Sequence, residues 1–376
     1  MIPIFKPKIN KEEVLRELGK IFDAGFIGMG PKVKEFEEAF AKYIGVKYAV
    51  ATNSATAALH LACLQLGIKK GDEVIVPAMT FVSTGLAPLY CGAVPVFADI
   101  DEDTLCLDPK DIERKITKKT KAIIVVHYGG HAAPMDKIMK LARKHKLFVI
   151  EDCAHATGGK YKGKMLGSIG DIGCFSFHAV KNLTTGDGGM MTLNKKDWYE
   201  RLLKLRWCGI DKSTFERSKN GYSWRYSVDE LGYKYHMNDI TAVIGLAQMK
   251  TLEKDNMIRM ACAQSYYDVL KDISWIKLPP GHFDKDRVWH NYVIQTEHRD
   301  ELNKYLAAQG ISTGVHYDPI NYHKVFGRIR VNHNDNNLPV TVRVAKNILT
   351  LPLYPDMVGK DFAKIVSAIE MFTFKI

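Results

Sequence analysis

Between residues 46 and 193 the chain alternates short β-branched apolar runs with amphipathic stretches. The runs 48–52, 73–77, 94–98, 122–127, 147–151, 173–177 and 190–193 read as strands. Stretches such as 56–66 and 135–145 lie between them and carry apolar positions at helical spacing. Apolar strands separated by helices predict an α/β fold whose large domain holds a mostly parallel seven-stranded sheet, covered by helices on both faces. After residue 195 the pattern changes. Residues 198–207 look helical, 211–226 are polar, aromatic and turn-rich, and 238–254 repeat Ile240, Val243, Ile244, Leu246, Ala247, Met249 and Leu252 at helical spacing. The expected boundary lies near residue 256, giving a large domain (1–255) and a smaller α+β domain (256–376). The latter has predicted helices over 257–270, 300–309 and 359–371 and strands around 289–296 and 313–317.

Composition narrows the class. A chain of 376 residues that is 46% apolar can bury one large core and a second, smaller one. Its first residues contain no apolar signal core, and no run is long enough to span a bilayer, so a soluble, cytoplasmic protein without membrane partners is expected. The seven cysteines are scattered without C-x-x-C pairing, which suits reduced thiols better than a disulfide frame or a zinc site, and no metal is expected. The net charge of +11 raises the possibility of nucleic acid. The basic residues, however, form only short pairs such as Lys69-Lys70, Lys118-Lys119 and Lys195-Lys196, with no helix-turn-helix pattern and no aromatic-interleaved basic patch. Nucleic-acid binding is not expected; the same charge can attract phosphorylated or nucleotide-linked small molecules.

Three segments carry candidate chemistry. In Ala51–Ala62 a strand runs into small polar residues and then a helix, so Asn53 or Ser54 can cap the helix while its first N–H groups stay open, a geometry that binds phosphate. In 148–155 an apolar strand ends in Glu151-Asp152, at the edge where open α/β sheets place ligands. An acid there can keep a pyridine nitrogen protonated; Asp152 takes this role and Glu151 a structural one. In 173–189, Lys181 follows a buried strand and precedes a Gly/Thr-rich turn, where desolvation makes a lysine a nucleophilic amine and Gly186, Gly188 and Gly189 let the backbone pass close to a ring.

These segments, together with Phe26–Gly30, Pro77–Ser83, Val126–Gly129, Gly232–Met237 and Val315–Tyr317, resemble the DegT/DnrJ/EryC1/StrS family of fold type I, pyridoxal-phosphate-dependent nucleotide-sugar aminotransferases, from about residue 20 to residue 325. The resemblance implies Lys181 as the Schiff-base lysine and proton shuttle and Asp152 as the partner of the ring nitrogen. It implies His155 beside the cofactor's phenolate oxygen, Phe81 stacked on the ring, and Ala55, Thr56 and Ser176 on the phosphate. It also implies a homodimer with an intersubunit site, in which Lys234 reaches the neighbour's phosphate. Gly28, His236, His316 and Tyr317 are the implied substrate contacts, and the loops 211–226 and 316–323 the candidate sugar-nucleotide loops. The implied reaction moves an amino group from L-glutamate, released as 2-oxoglutarate, through the pyridoxamine form of the cofactor to a keto sugar. A dehydratase of the same family, in which His replaces the lysine, and a non-catalytic regulatory protein on this fold are the alternatives; intact Lys181 and Asp152 speak against both.

Overall fold

The computed structural model describes residues 1–212, 215, 224–327, 337–357 and 359–373. The seven expected strands are β1 (Tyr48–Thr52), β2 (Glu73–Pro77), β3 (Val94–Ala98), β4 (Thr120–Val126), β5 (Phe148–Asp152), β8 (Ile172–Ser176) and β9 (Gly189–Leu193). They form one sheet in the order β1-β9-β8-β5-β4-β2-β3. A small hairpin of β6 (Lys160–Tyr161) and β7 (Lys164–Met165), with no apolar run to announce it, falls between β5 and β8. Only β9 runs against the rest, pairing antiparallel with both β1 and β8. The other neighbours pair in parallel, with Val126 opposite Asp152 and Asp152 opposite Cys174. The carboxyl ends of six strands therefore lie along one edge.

Successive strand residues feed opposite cores, as a period of two requires. Val74, Val76, Ile124, Ile150, Cys174 and Met191 pack on one face with the helix Ala55–Gln65. On the other, Ile75, Ile123, Val125 and Val149 meet the helix Met135–His145, while Ala49, Ala51, Phe175 and Met190 meet the helix Pro31–Ile44. Burial on both faces explains why these strands read as continuous apolar runs.

The helical pattern expected over 238–254 is two helices, Asp239–Met249 and Leu252–Leu270. The break falls at Lys250-Thr251, where the Thr251 hydroxyl donates to the Gln248 carbonyl (3.4 Å) and competes with the helical ladder. The second helix then runs unbroken through residues 255 and 256. The C-terminal core gathers Tyr266, Trp289, Tyr292, Leu302, Leu306, Leu349 and Ile365 around the antiparallel pair β10 (Tyr292–Gln295) and β11 (Ile348–Leu351). Ile2 joins this core from the chain's beginning. The strand expected over 313–317 is corrected to a loop whose backbone pairs with β11 at a single bridge, Gly314–Thr350. Strand β11 takes the place beside β10; it follows the helix Pro339–Asn347 directly, so no turn signal separates the two patterns in the sequence. No described helix is long and apolar enough to cross a membrane.

Candidate active site

The parallel strands deliver their chemistry to one place. A cavity of about 380 Å³ opens beyond their carboxyl ends. It is lined by Ser54, Ala55 and Thr56 after β1, Thr80, Phe81, Ser83 and Thr84 after β2, and Val126 at the end of β4. Asp152 and His155 follow from β5, and Ser176 and Lys181 from β8. His316 and Tyr317 close it from the C-terminal part of the chain.

The first wall is the start of the Ala55–Gln65 helix. Ser54 Oγ accepts from the Ala57 N–H (3.1 Å) and the Ser54 carbonyl from the Ala58 N–H (3.1 Å). The N–H groups of Ala55 and Thr56 have no acceptor among the described residues, as first-turn donors do unless a ligand or water meets them. Gly189 makes this wall possible, because a Cβ there would stand 2.5 Å from the Ser54 carbonyl. Thr56 Oγ1 is 2.6 Å from Ser83 Oγ.

The second wall is the end of β5, where the pleat sends the two acids to opposite faces. Glu151 turns inward and accepts from the N–H groups of Gly167 (3.0 Å), Ile169 (2.7 Å) and Gly170 (2.6 Å) and from His127 Nε2 (3.0 Å). It ties down the loop before β8 and has no capacity left for a ligand. His127, Glu151 and Cys153 lie close enough to hold a metal ion. Yet His127 Nδ1 accepts from the Ala133 N–H (3.2 Å) and its Nε2–H serves Glu151, so both ring nitrogens are committed. Asp152 faces the cavity instead. Its Oδ2 accepts from Thr84 Oγ1 (2.9 Å), which in turn accepts from Thr80 Oγ1 (2.8 Å), and its Oδ1 accepts from the Ala154 N–H (3.2 Å). Burial pushes the Asp152 carboxyl above the ordinary aspartate range, against the pull of these donors and of Lys181.

The third wall is the β8–β9 connection. Phe177 cinches it: its carbonyl accepts from the Thr185 N–H (2.9 Å) and Thr184 Oγ1 (3.2 Å), and its N–H donates to Gly188 (2.9 Å). Gly186 takes the left-handed backbone (φ 85°) needed to turn the loop. Lys181 stands at the head of this loop, deeply enclosed but partly open to the cavity. Burial lowers its pKa to about 8, with Asp152 opposing. Its Nζ is 3.5 Å from His290 Nε2. His155 Nδ1 accepts from the Gly129 N–H (3.2 Å), so its proton sits on Nε2, 3.1 Å from the Tyr317 hydroxyl. Burial and the Lys181 charge hold His155 neutral. His316 bonds Thr350 Oγ1 through Nδ1 (2.9 Å). Phe81, 55% exposed, stands over the opening with its ring 6.1 Å from that of Tyr317.

Nine residues singled out in the sequence thus meet here: Ala55, Thr56, Phe81, Asp152, His155, Ser176, Lys181, His316 and Tyr317. Lys234, His236 and Gly28 do not line this cavity. Lys234 Nζ lies 3.5 Å above the Trp207 ring, His236 packs edge-on against the same ring, and the Gly28 carbonyl accepts from the Asp239 N–H (2.8 Å). Of the loop 211–226, residues 213–214 and 216–223 lie outside the described residues; Trp224 and Tyr226 are exposed. Sequence reasoning missed Thr84, which follows the Phe81 segment by three residues and was within reach. It also gave no role to Asn182, which directly follows Lys181, and missed His290, for which the linear sequence gives no signal, because 109 positions separate His290 from the lysine it meets.

An enclosed amine, a buried carboxylate and an open helix start around one cavity suit a ring compound carrying a basic nitrogen, an aldehyde and a phosphate, and pyridoxal phosphate fits that donor set. Comparison with known proteins points the same way. The sequence model of the DegT/DnrJ/EryC1/StrS aminotransferase family matches residues 8–370. A spore coat polysaccharide biosynthesis protein of Bacillus subtilis, SpsC, is 40% identical over 98% of this chain and 96% of its own. Among solved structures, a putative sugar aminotransferase from Streptococcus pneumoniae in its PMP form superposes with a TM-score of 0.92 at 31% identity, covering 98% of both chains. DesV of S. venezuelae, in complex with a ketimine intermediate, superposes with a TM-score of 0.88 at 32% identity over 97% of this chain and 98% of its own. The seven-stranded sheet, the cavity at its carboxyl edge and these full-length likenesses agree: this chain belongs to the DegT/DnrJ/EryC1/StrS aminotransferase family.

Proposed function

We propose that this aminotransferase moves the amino group of L-glutamate to a nucleotide-linked 3-keto or 4-keto sugar, supplying an amino-deoxy sugar for a cell-surface polysaccharide or another glycosylated product. The observation that carries the reading is the convergence of Lys181, Asp152 and the open amides of Ala55 and Thr56 on one cavity. Likeness to the spore coat polysaccharide protein supports the product class. Pyridoxal phosphate, when bound, supplies an aldehyde that condenses with amines and a pyridine ring that takes up the electron pair released at the neighbouring carbon.

The chain does the rest. The Ala55 and Thr56 N–H groups and the Ser176 hydroxyl hold the phosphate, where the helix dipole favours the anion. Asp152 faces the ring nitrogen; a cation there offsets the burial that now favours the neutral acid and keeps the carboxylate ionised. Lys181 would hold the cofactor through its aldehyde carbon and, once the donor's amine has displaced it, would act as the base that takes the proton from the donor's α-carbon and delivers it to the carbon on the other side of the amino nitrogen. The Nε2–H of His155, which meets the Tyr317 hydroxyl in the ligand-free chain, would donate to the ring oxygen, and Phe81 would cover the ring and exclude water. His316 and Tyr317 contact the substrate. Lys234, His236 and Gly28 act on the partner's site in a cytoplasmic homodimer. The exposed apolar side chains near them, Ile27, Trp224, Tyr226, Val228 and Leu231, suit such a partner surface.

Two measurements test this. GDP-, UDP- and dTDP-linked 3-keto and 4-keto sugars, assayed with L-glutamate, should include at least one that releases 2-oxoglutarate; turnover with none overturns the acceptor. Lys181→Ala should abolish the absorbance of lysine-bound cofactor and its fixation by borohydride. Undiminished fixation would falsify the role of Lys181.

A further inference from the structure

Behind Lys181 stands a chain of side chains that the proposed chemistry does not use. Its polarity is set from the far end, because a backbone carbonyl can only accept. Asn256 Nδ2 donates to the Thr157 carbonyl (3.1 Å), so Asn256 Oδ1 is the acceptor for Asn182 Nδ2 (2.9 Å). Asn182 Nδ2 also donates to the Trp289 carbonyl (3.4 Å). The Asn182 Oδ1 is therefore left to accept from His290 Nδ1 (3.2 Å), which places the His290 proton on Nδ1. The opposite nitrogen, Nε2, carries a lone pair, and it faces Lys181 Nζ. His290 is 3% exposed, and its ring is held between Phe5, stacked at 5.3 Å and 5°, and His155 at 4.6 Å. Asn182 and Asn256 are buried as well.

We propose that His290, oriented by Asn182 and Asn256, is a positioning residue for Lys181: a fixed, neutral acceptor that aims the amine into the cavity and receives it again after each proton transfer. The inference rests on the reading of Lys181 as the cofactor lysine. The separation of 3.5 Å suits the task, since an amine that must leave and return is guided by a long hydrogen bond and would be trapped by a short one. Geometry requires that His290 stay neutral, since an imidazolium has no lone pair on Nε2. The charged and titratable groups that act on it most strongly among the described residues are Lys181, His155, Arg259 and His316, and none of these four is a carboxylate that would stabilise its cation. Burial and these neighbours hold its pKa well below the ordinary histidine value.

The contact stands in the ligand-free chain, so the first readout is capture of pyridoxal phosphate by the full-length apoprotein, followed by absorbance against pH. His290→Ala should slow capture and the glutamate half-reaction by about 10–100-fold, the scale of a misaimed reacting group. The KM for glutamate should change less than about threefold, since ground-state binding is untouched. His290→Gln, whose amide oxygen can accept in place of Nε2, should recover most of the loss. Asn182→Asp gives His290 a carboxylate partner and raises its basicity, so the variant should acquire a second acid limb on top of the one that protonation of Lys181 gives wild type. Capture and half-reaction should then fall more steeply at low pH than in wild type, as His290 protonates as well as Lys181, and recover as pH rises. A side chain that only fills space would show neither the Gln rescue nor the second acid limb. Should a folded His290→Ala protein capture cofactor and turn over glutamate at wild-type rates, or Asn182→Asp keep the wild-type pH profile, the inference is overturned. Failure of Lys181 itself is read separately, from the borohydride fixation of Lys181→Ala.

Discussion

At the scale of single residues, the site works by placing groups where water cannot level their acidities. Lys181 is the clearest case. With its pKa drawn down to about 8 by burial, the free amine fraction rises tenfold per pH unit below that value and levels above it. Capture of pyridoxal phosphate by the apoprotein should follow that curve; a midpoint near 10 would mean that the amine is solvated. Asp152 acts through charge, so Asp152→Asn should cost about 10²–10³-fold in the glutamate half-reaction, as loss of a preorganised electrostatic partner does. Thr84→Val, which removes one donor to that carboxylate, should cost about tenfold, the scale of a hydrogen bond to a charged group. Equal losses from the two variants would contradict this division of labour. Lys181, Asp152 and the helix start were legible in the sequence because each follows an apolar strand directly. Thr84 was legible only in part, and the Lys181–His290 contact not at all, since it closes over 109 positions.

At the scale of elements, the pair Glu151-Asp152 shows how a strand separates architecture from chemistry. Adjacent residues on β5 point to opposite faces, so one acid ties down the loop before β8 while the other meets the ligand. Glu151→Ala would leave three backbone N–H groups and His127 without their acceptor. Loss of one partner from such a buried set costs about 3–5 kcal/mol, to be read as a lowered midpoint in thermal or urea unfolding. Burial alone would raise the Glu151 pKa, but the His127 bond and the N–H groups of Gly170 and Gly167 outweigh it and hold the pKa below the ordinary glutamate value. A group depressed in this way stabilises fully above its unfolded value, and that contribution is lost as pH falls through the folded one. Wild type should therefore lose stability into the acid range more steeply than Glu151→Ala; parallel acid profiles would rule Glu151 out as the cause. Element boundaries were read less well where local patterns merged. The 238–254 helix breaks at Thr251 through a side-chain bond that periodicity cannot see, and β11 was hidden by the helix running into it.

At the scale of the whole molecule, the first residues are joined to the C-terminal part of the chain behind the site. The Ile2 N–H donates to Gly310 (2.7 Å), the Ser312 N–H to Ile2 (2.9 Å) and the Leu353 N–H to Ile4 (3.2 Å), and this seam delivers Phe5 onto His290. Phe5→Ala should weaken that support, slowing cofactor capture by a few-fold and lowering the unfolding midpoint by the cost of a partly buried aromatic, about 1–3 kcal/mol. Unchanged capture would show that His290 needs no lid.

The sequence by itself determined the sheet, its flanking helices and the three strand-end segments. Each of these rests on local periodicity and on the apolar continuity that burial on both faces imposes. The tertiary structure decided the tautomers of His155 and His290, the four donors that fill Glu151, and the seam between the first residues and the C-terminal part of the chain. Those depend on which donors and acceptors meet across separations such as the 16 positions between Glu151 and Gly167 or the 108 between Asn182 and His290, and a linear pattern carries no record of distance in space.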